Sequence, residues 1–100
     1  MSTERKRYPL GTQVAVLAIF RDSDSELIDP TAVRFLFRDP AGGETEYVYG
    51  VDAELVRESE GRYRADIDAN MSGNWQYRYY STGEGQAAHE GSFAVDKSQF

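Results

Sequence analysis

Apolar and polar residues alternate along most of this chain with a period of two, as expected of half-buried strands. The first run, Gln13 to Arg21, reads QVAVLAIFR. Val14, Val16, Ala18 and Phe20 form one alternate set, and Ala15, Leu17 and Ile19 the other. Both sets are apolar, so this strand is expected to be buried on both sides or covered by a partner. An acidic loop follows, closed by Asp29-Pro30, because a residue before proline avoids helix. Ala32 to Asp39 sets Val33, Phe35 and Phe37 against Arg34, Leu36 and Arg38. Its turn is DPAGG, where Pro40 presets a bend and Gly42 and Gly43 are free to take positive φ. Glu44 to Tyr49 places Thr45, Tyr47 and Tyr49 on one face and Glu44, Glu46 and Val48 on the other.

Leu55 and Val56 suggest a short fourth strand, although AELVRES also fits a single helical turn. The clearest alternations come next. In RYRADID (Arg62 to Asp68), Tyr63, Ala65 and Ile67 point inward. In NWQYRYYS (Asn74 to Ser81), Trp75, Tyr77 and Tyr79 share a face. Gly83 and Gly85 mark a hairpin turn, and Ala87 to Val95 closes the pattern with His89, Gly91, Phe93 and Val95 on one set. No stretch sustains helical spacing over the ~10 residues of an ordinary helix. Short strands divided by turn signals predict an all-β fold, an immunoglobulin-like antiparallel β-sandwich of about seven strands. With 100 residues there is room for one domain. The expected division is an N-terminal arm over 1–8, the sandwich over 9–96 and a C-terminal tail over 97–100.

Composition narrows the chemistry. The apolar fraction of 40% is modest for a core, and the aromatic fraction of 13% compensates by burying large rings. With no cysteine, disulfides, thiolate catalysis and Cys-based zinc sites are excluded. The net charge of −6 disfavours phosphate backbones, so no nucleic-acid partner is expected. No segment approaches the length of a membrane span. MSTERKRYPLG carries charges without an apolar run of signal-peptide length, so synthesis in a cytoplasm is expected.

Several motifs come close to a site and fail on spacing or context. Asp66-x-Asp68-x-Asn70 resembles the opening of a calcium loop, but the sixth loop position is Met71 and the twelfth is Tyr77. Asp22, Asp24 and Glu26 alternate in the first loop without a defined ligand spacing, and read as a solvated loop. Gly83-x-Gly85-x-x-Ala88 matches a dinucleotide fingerprint in letters alone, because a strand rather than a helix follows it. His89 is the only histidine, and is expected to pack in or beside a sheet. Asn70-Met71-Ser72 matches a glycosylation sequon that has meaning only with secretion. No residue is therefore assigned to catalysis, to a cofactor or to a metal.

Interface candidates remain. Arg5, Lys6 and Arg7 form the one basic cluster, read as a solvated arm or as an arm reaching an acidic patch on a neighbour. Trp75, Tyr77 and Tyr79 are expected in the core. Tyr80, out of phase with them, is the candidate for an exposed contact, where tyrosine is favoured. Phe100 ends the chain as an apolar residue able to dock.

The segment Gly61 to Tyr79, GRYRADID followed by GNWQYRY, resembles the final strands of many immunoglobulin-like domains. The whole pattern over about residues 8 to 95 is similar to small structural proteins of tailed-bacteriophage virions. It includes YPLGTQVAVLAIF, then DPTAVRFLFRDPAGGETEYVYG, then GNWQYRYYSTGEGQAAHEGSFAV. That resemblance implies a non-enzymatic part of a head, neck or tail. It also implies capsid, portal or tail proteins as partners in a symmetric multi-copy assembly, and no cofactor. An adhesive or carbohydrate-binding module on a particle or cell surface is the alternative.

Overall fold

The computed structural model of the chain describes residues 6–83 and 88–97. Among them are eight strands: β1 (Lys6–Pro9), β2 (Gln13–Ile19), β3 (Ala32–Arg38), β4 (Glu44–Val48), β5 (Leu55–Ser59), β6 (Arg62–Asp68), β7 (Gly73–Thr82) and β8 (Ala88–Asp96). They form a five-stranded sheet in the order β1-β8-β7-β3-β4 and a three-stranded sheet in the order β2-β6-β5. All pairings are antiparallel except β1 with β8, which is parallel.

Seven of these strands coincide with the predicted runs to within a few residues. AELVRES is a strand from Leu55, not a helical turn, and Leu55 is buried. The eighth strand, β1, lies where an arm through residue 8 was expected. Lys6–Pro9 pairs with Phe93–Asp96, so residues 6–8 of the expected arm belong to the five-stranded sheet, and residues 1–5 lie outside the described residues. Tyr8 holds it there, with its ring edge-on to Phe93 at 5.6 Å between centroids. A four-residue strand is too short for alternation to reveal, and its parallel partner lies at the other end of the sequence.

The core fills the space between the sheets. From the three-stranded sheet come Val14, Val16, Ala18, Phe20, Leu55, Tyr63, Ala65 and Ile67, and from the other Val33, Phe35, Trp75, Tyr79, Phe93 and Val95, all buried. Trp75 stacks on Phe93 at 5.8 Å and donates its indole N–H to the Met71 carbonyl at 3.0 Å. Phe35 lies 4.6 Å from Tyr79. Each buried ring removes a large apolar area from water, which is how a 100-residue chain with a modest apolar fraction builds a core. Tyr77 is only half-buried, and its ring crosses Gly91, its register partner. A methyl group at 91 would overlap the phenol, so glycine is what admits this ring.

Within this chain, QVAVLAI is not buried on both sides, the first of its two expected environments. Only one set of β2 is buried, while Ala15, Leu17 and Ile19 point to solvent. The three-stranded sheet has a core on one side only, so its outer face is open to water whatever residues occupy it.

Candidate interaction surface

The outer face of the five-stranded sheet is a polar lattice set by register. Arg78 sits opposite Glu90 on β8 and Leu36 on β3, and Leu36 sits opposite Glu46 on β4. Ion pairs link neighbouring strands: Arg38–Glu44 at 2.5 Å, Arg34–Glu46 at 3.6 Å and Arg78–Glu90 at 3.5 Å. A shallow groove of about 520 Å³ follows this face, lined by Leu36, Arg38, Glu44, Gln76, Arg78, Glu90 and Ser92 among others. Its two arginines, Arg38 and Arg78, are each ion-paired within the sheet, to Glu44 and Glu90, which also line the groove.

Tyr80 belongs to this lattice. It is half-buried, its hydroxyl donates to the Glu46 carboxylate, and the Arg78 guanidinium stands 6.0 Å from its ring centroid. The hydrogen bond to Glu46 is the main reason that its phenol titrates above the ordinary tyrosine range. Of the basic cluster, Arg7 is exposed and pairs with Asp96 across β1 and β8. Lys6 lies in β1, and Arg5 falls outside the described residues, as does Phe100. The structure does not bring Tyr80 and Arg7 together. Trp75, the obvious ring for a sugar platform, is buried in the core.

The acidic motifs resolve into local structure. The Asp22 carboxylate accepts the N–H groups of Asp24 at 2.8 Å and Glu26 at 3.1 Å, closing a tight turn with Ser25 at φ 65°. Among the described residues no group of three or more His, Asp or Glu is placed to hold a metal ion. His89 is exposed and lies edge-on to Phe20 at 5.5 Å, beside the sheet as expected. One acid that sequence reading passed over is a hub. Asp29 accepts Arg57 Nε at 3.0 Å, the Gly61 N–H at 2.9 Å and the Tyr63 hydroxyl at 3.3 Å. The Arg57 and Gly61 hydrogen bonds hold its carboxyl below the usual carboxylate range. Nothing in the motif DP signals this, because its partners come from β5, β6 and their turn.

The second surface is the edge of β2, which no other strand pairs with among the described residues. The other edge strands carry charge or proline: Lys6, Arg7 and Pro9 on β1, Glu44 and Glu46 on β4, Arg57 and Glu58 on β5. These are the usual guards against edge-to-edge pairing. β2, reading QVAVLAI, has none, and its outward side chains include Leu17 at 64% exposure and Ile19 at 42%.

No protein-family model and no curated protein matches the sequence. Solved structures do resemble the fold. The Lin-41 filamin domain superposes with a TM-score of 0.71 at 12% identity, covering 97% of this chain and 89% of that one. The chain is an immunoglobulin-like β-sandwich. A putative glycoside hydrolase from Bacteroides vulgatus ATCC 8482 gives a TM-score of 0.61 at 13% identity, over 92% of this chain but only 16% of that one. At such identities the likeness concerns the fold alone.

Proposed function

We propose that this protein is a non-enzymatic structural component of a tailed-bacteriophage virion, made in the host cytoplasm. In this reading it binds other capsid, neck or tail proteins in a symmetric, multi-copy array, as head decoration or as part of the head–tail connection. The reading rests on the sequence resemblance. The structural observation that supports it is the uncharged apolar edge of β2. A chain with 28% charged residues has charge available for every edge, yet leaves this strand unguarded. An edge left open in that way suits main-chain pairing with a neighbour.

Particles assembled without this protein provide the test. The purified wild-type chain is expected to bind them in a saturable, fixed number of copies. Leu17→Lys, which leaves the core intact, is expected to lose that binding while melting normally. A wild-type chain that stays monomeric and ignores such particles would overturn the proposal.

A further inference from the structure

The backbone of β2 has a definite polarity across the strand. Phe20 N–H donates to Gly61 O at 2.8 Å, and Ala69 N–H donates to Thr12 O at 2.9 Å. Even-numbered positions therefore turn their backbone groups toward β6. By alternation, Gln13, Ala15, Leu17 and Ile19 turn theirs toward the open edge. Those are the same residues whose side chains lie on the outer face.

The charges beside this edge are also arranged. On β6, Arg62 sits opposite Ile19 and Asp68 opposite Gln13. Between them, Arg64 Nε and Asp66 Oδ1 lie 3.1 Å apart, and Arg64 also reaches Glu58 at 3.0 Å. Among the described residues Arg62 and Asp68 form no ion pair. β2 itself carries no charge, the charges beside its middle are ion-paired, and among the described residues a cation at one end and an anion at the other are left without an ion pair.

On its inner side β2 lies across β7 and β8: Val16 O takes the Tyr79 hydroxyl, and Phe20 packs on Tyr79 of β7 at 6.3 Å and on His89 of β8 at 5.5 Å. An added strand therefore meets the backbone of the β2 edge and continues its outer face.

We infer that the β2 edge accepts one extended, antiparallel segment of a partner protein, with an acidic residue first and a basic residue six positions later. The first residue stands opposite Ile19, within reach of Arg62, and the seventh opposite Gln13, within reach of Asp68. Each reach spans two strand spacings, about 9.6 Å, which long side chains cover. The third and fifth residues face Leu17 and Ala15 and are apolar, and no charge lies between the two ends. This rests on reading β2 as an interface, and it is independent of whether the partner is a virion protein.

The test uses two end-blocked peptides, ETVTVTK and its charge-reversed form KTVTVTE, titrated into the full chain by amide NMR. ETVTVTK is expected to shift the amides of Ala15, Leu17 and Ile19. KTVTVTE is expected to bind about tenfold more weakly, since two weak attractions become repulsions. The double variant Arg62→Glu/Asp68→Lys is expected to invert that preference, which a merely sticky edge would not do. The inference is overturned if neither peptide shifts the β2 amides, or if the preference survives the charge swap. Sedimentation of the free protein as a dimer with those amides already protected would also overturn it, in favour of self-pairing. Particle binding that persists while both peptides fail would remove this inference and leave the proposed function standing.

Discussion

The Tyr79 hydroxyl donates a hydrogen bond to the Val16 carbonyl oxygen at 2.5 Å, tying the two sheets together through the middle of the core. Tyr79 is fully buried, so its phenol needs a partner, and Val16 also faces β6 with the same backbone group. Tyr79→Phe removes the donor and leaves the carbonyl its strand partner. The expected loss is about 1 kcal/mol, lowering the melting temperature by about 4–8 °C for a domain of this size. Chemical denaturation monitored by tryptophan fluorescence measures it through Trp75. A variant as stable as wild type would show that the bond contributes nothing net.

Alkaline pH is expected to unfold this protein through its buried phenols. Burial, above all, pushes Tyr63 up to about 12 and Tyr79 higher still. The folded state thus holds these protons more tightly than the unfolded chain, whose tyrosines titrate near 10. Their contribution is fully present below pH 10 and is lost as pH rises toward and beyond 12. Tyr63→Phe is expected to flatten the fall in stability between about pH 10 and 12, read from urea midpoints across that range.

Asp29 works in the opposite direction. Its carboxyl is lowered in the folded state, so its contribution is present above the unfolded value near 3.8 and fades as pH falls through the folded value. The site is partly open to water, so the effect is modest. Asp29→Asn is expected to cost about 1 kcal/mol at neutral pH and to leave stability less dependent on pH below 4. Equal loss at pH 7 and pH 2 would instead point to lost packing.

Gly61, in the turn between β5 and β6, has φ 72°, and a Cβ there would stand 2.8 Å from Phe20 O and 3.0 Å from Ile28 N. Backbone atoms cannot swing aside as side chains do. Gly61→Ala is expected to destabilise by more than about 1 kcal/mol. Gly50, also at positive φ but with nothing within 4 Å, serves as the comparison. A smaller cost at Gly50 would separate the clash from the dihedral strain.

The two faces of β2 and its neighbour separate core from surface. Ile67→Ala is expected to cost about 2–5 kcal/mol, because Ile67 is 1% exposed opposite Val14. Leu17→Thr is expected to stay within about 0.5 kcal/mol of wild type. A large loss from Leu17→Thr would mean that the outer face is covered in the free protein.

Much of the sandwich was legible in the sequence where alternation was strong. RYRADID and NWQYRYYS read as strands because every second residue is apolar, and Tyr63, Trp75 and Tyr79 are in the core as that phase required. The weaker signals were those set by distant chain. Lys6–Pro9 is a strand only because β8 offers it an edge, and Asp29 is a hub only because Arg57, Gly61 and Tyr63 fold onto it. Tyr80 was correctly out of phase with the core, but its bond to Glu46 depends on how β7, β3 and β4 align.

The sequence by itself determined the element type, the buried phase of the long strands and the absence of thiol chemistry, because each follows from side-chain period or residue identity. The tertiary structure alone decided which face of QVAVLAI meets water. Both faces of that strand are apolar, so hydrophobicity could not choose between them. The choice came from the position of β2 at the edge of a three-stranded sheet with a core on one side. The same placement set Arg62 and Asp68 beside the two ends of that edge strand.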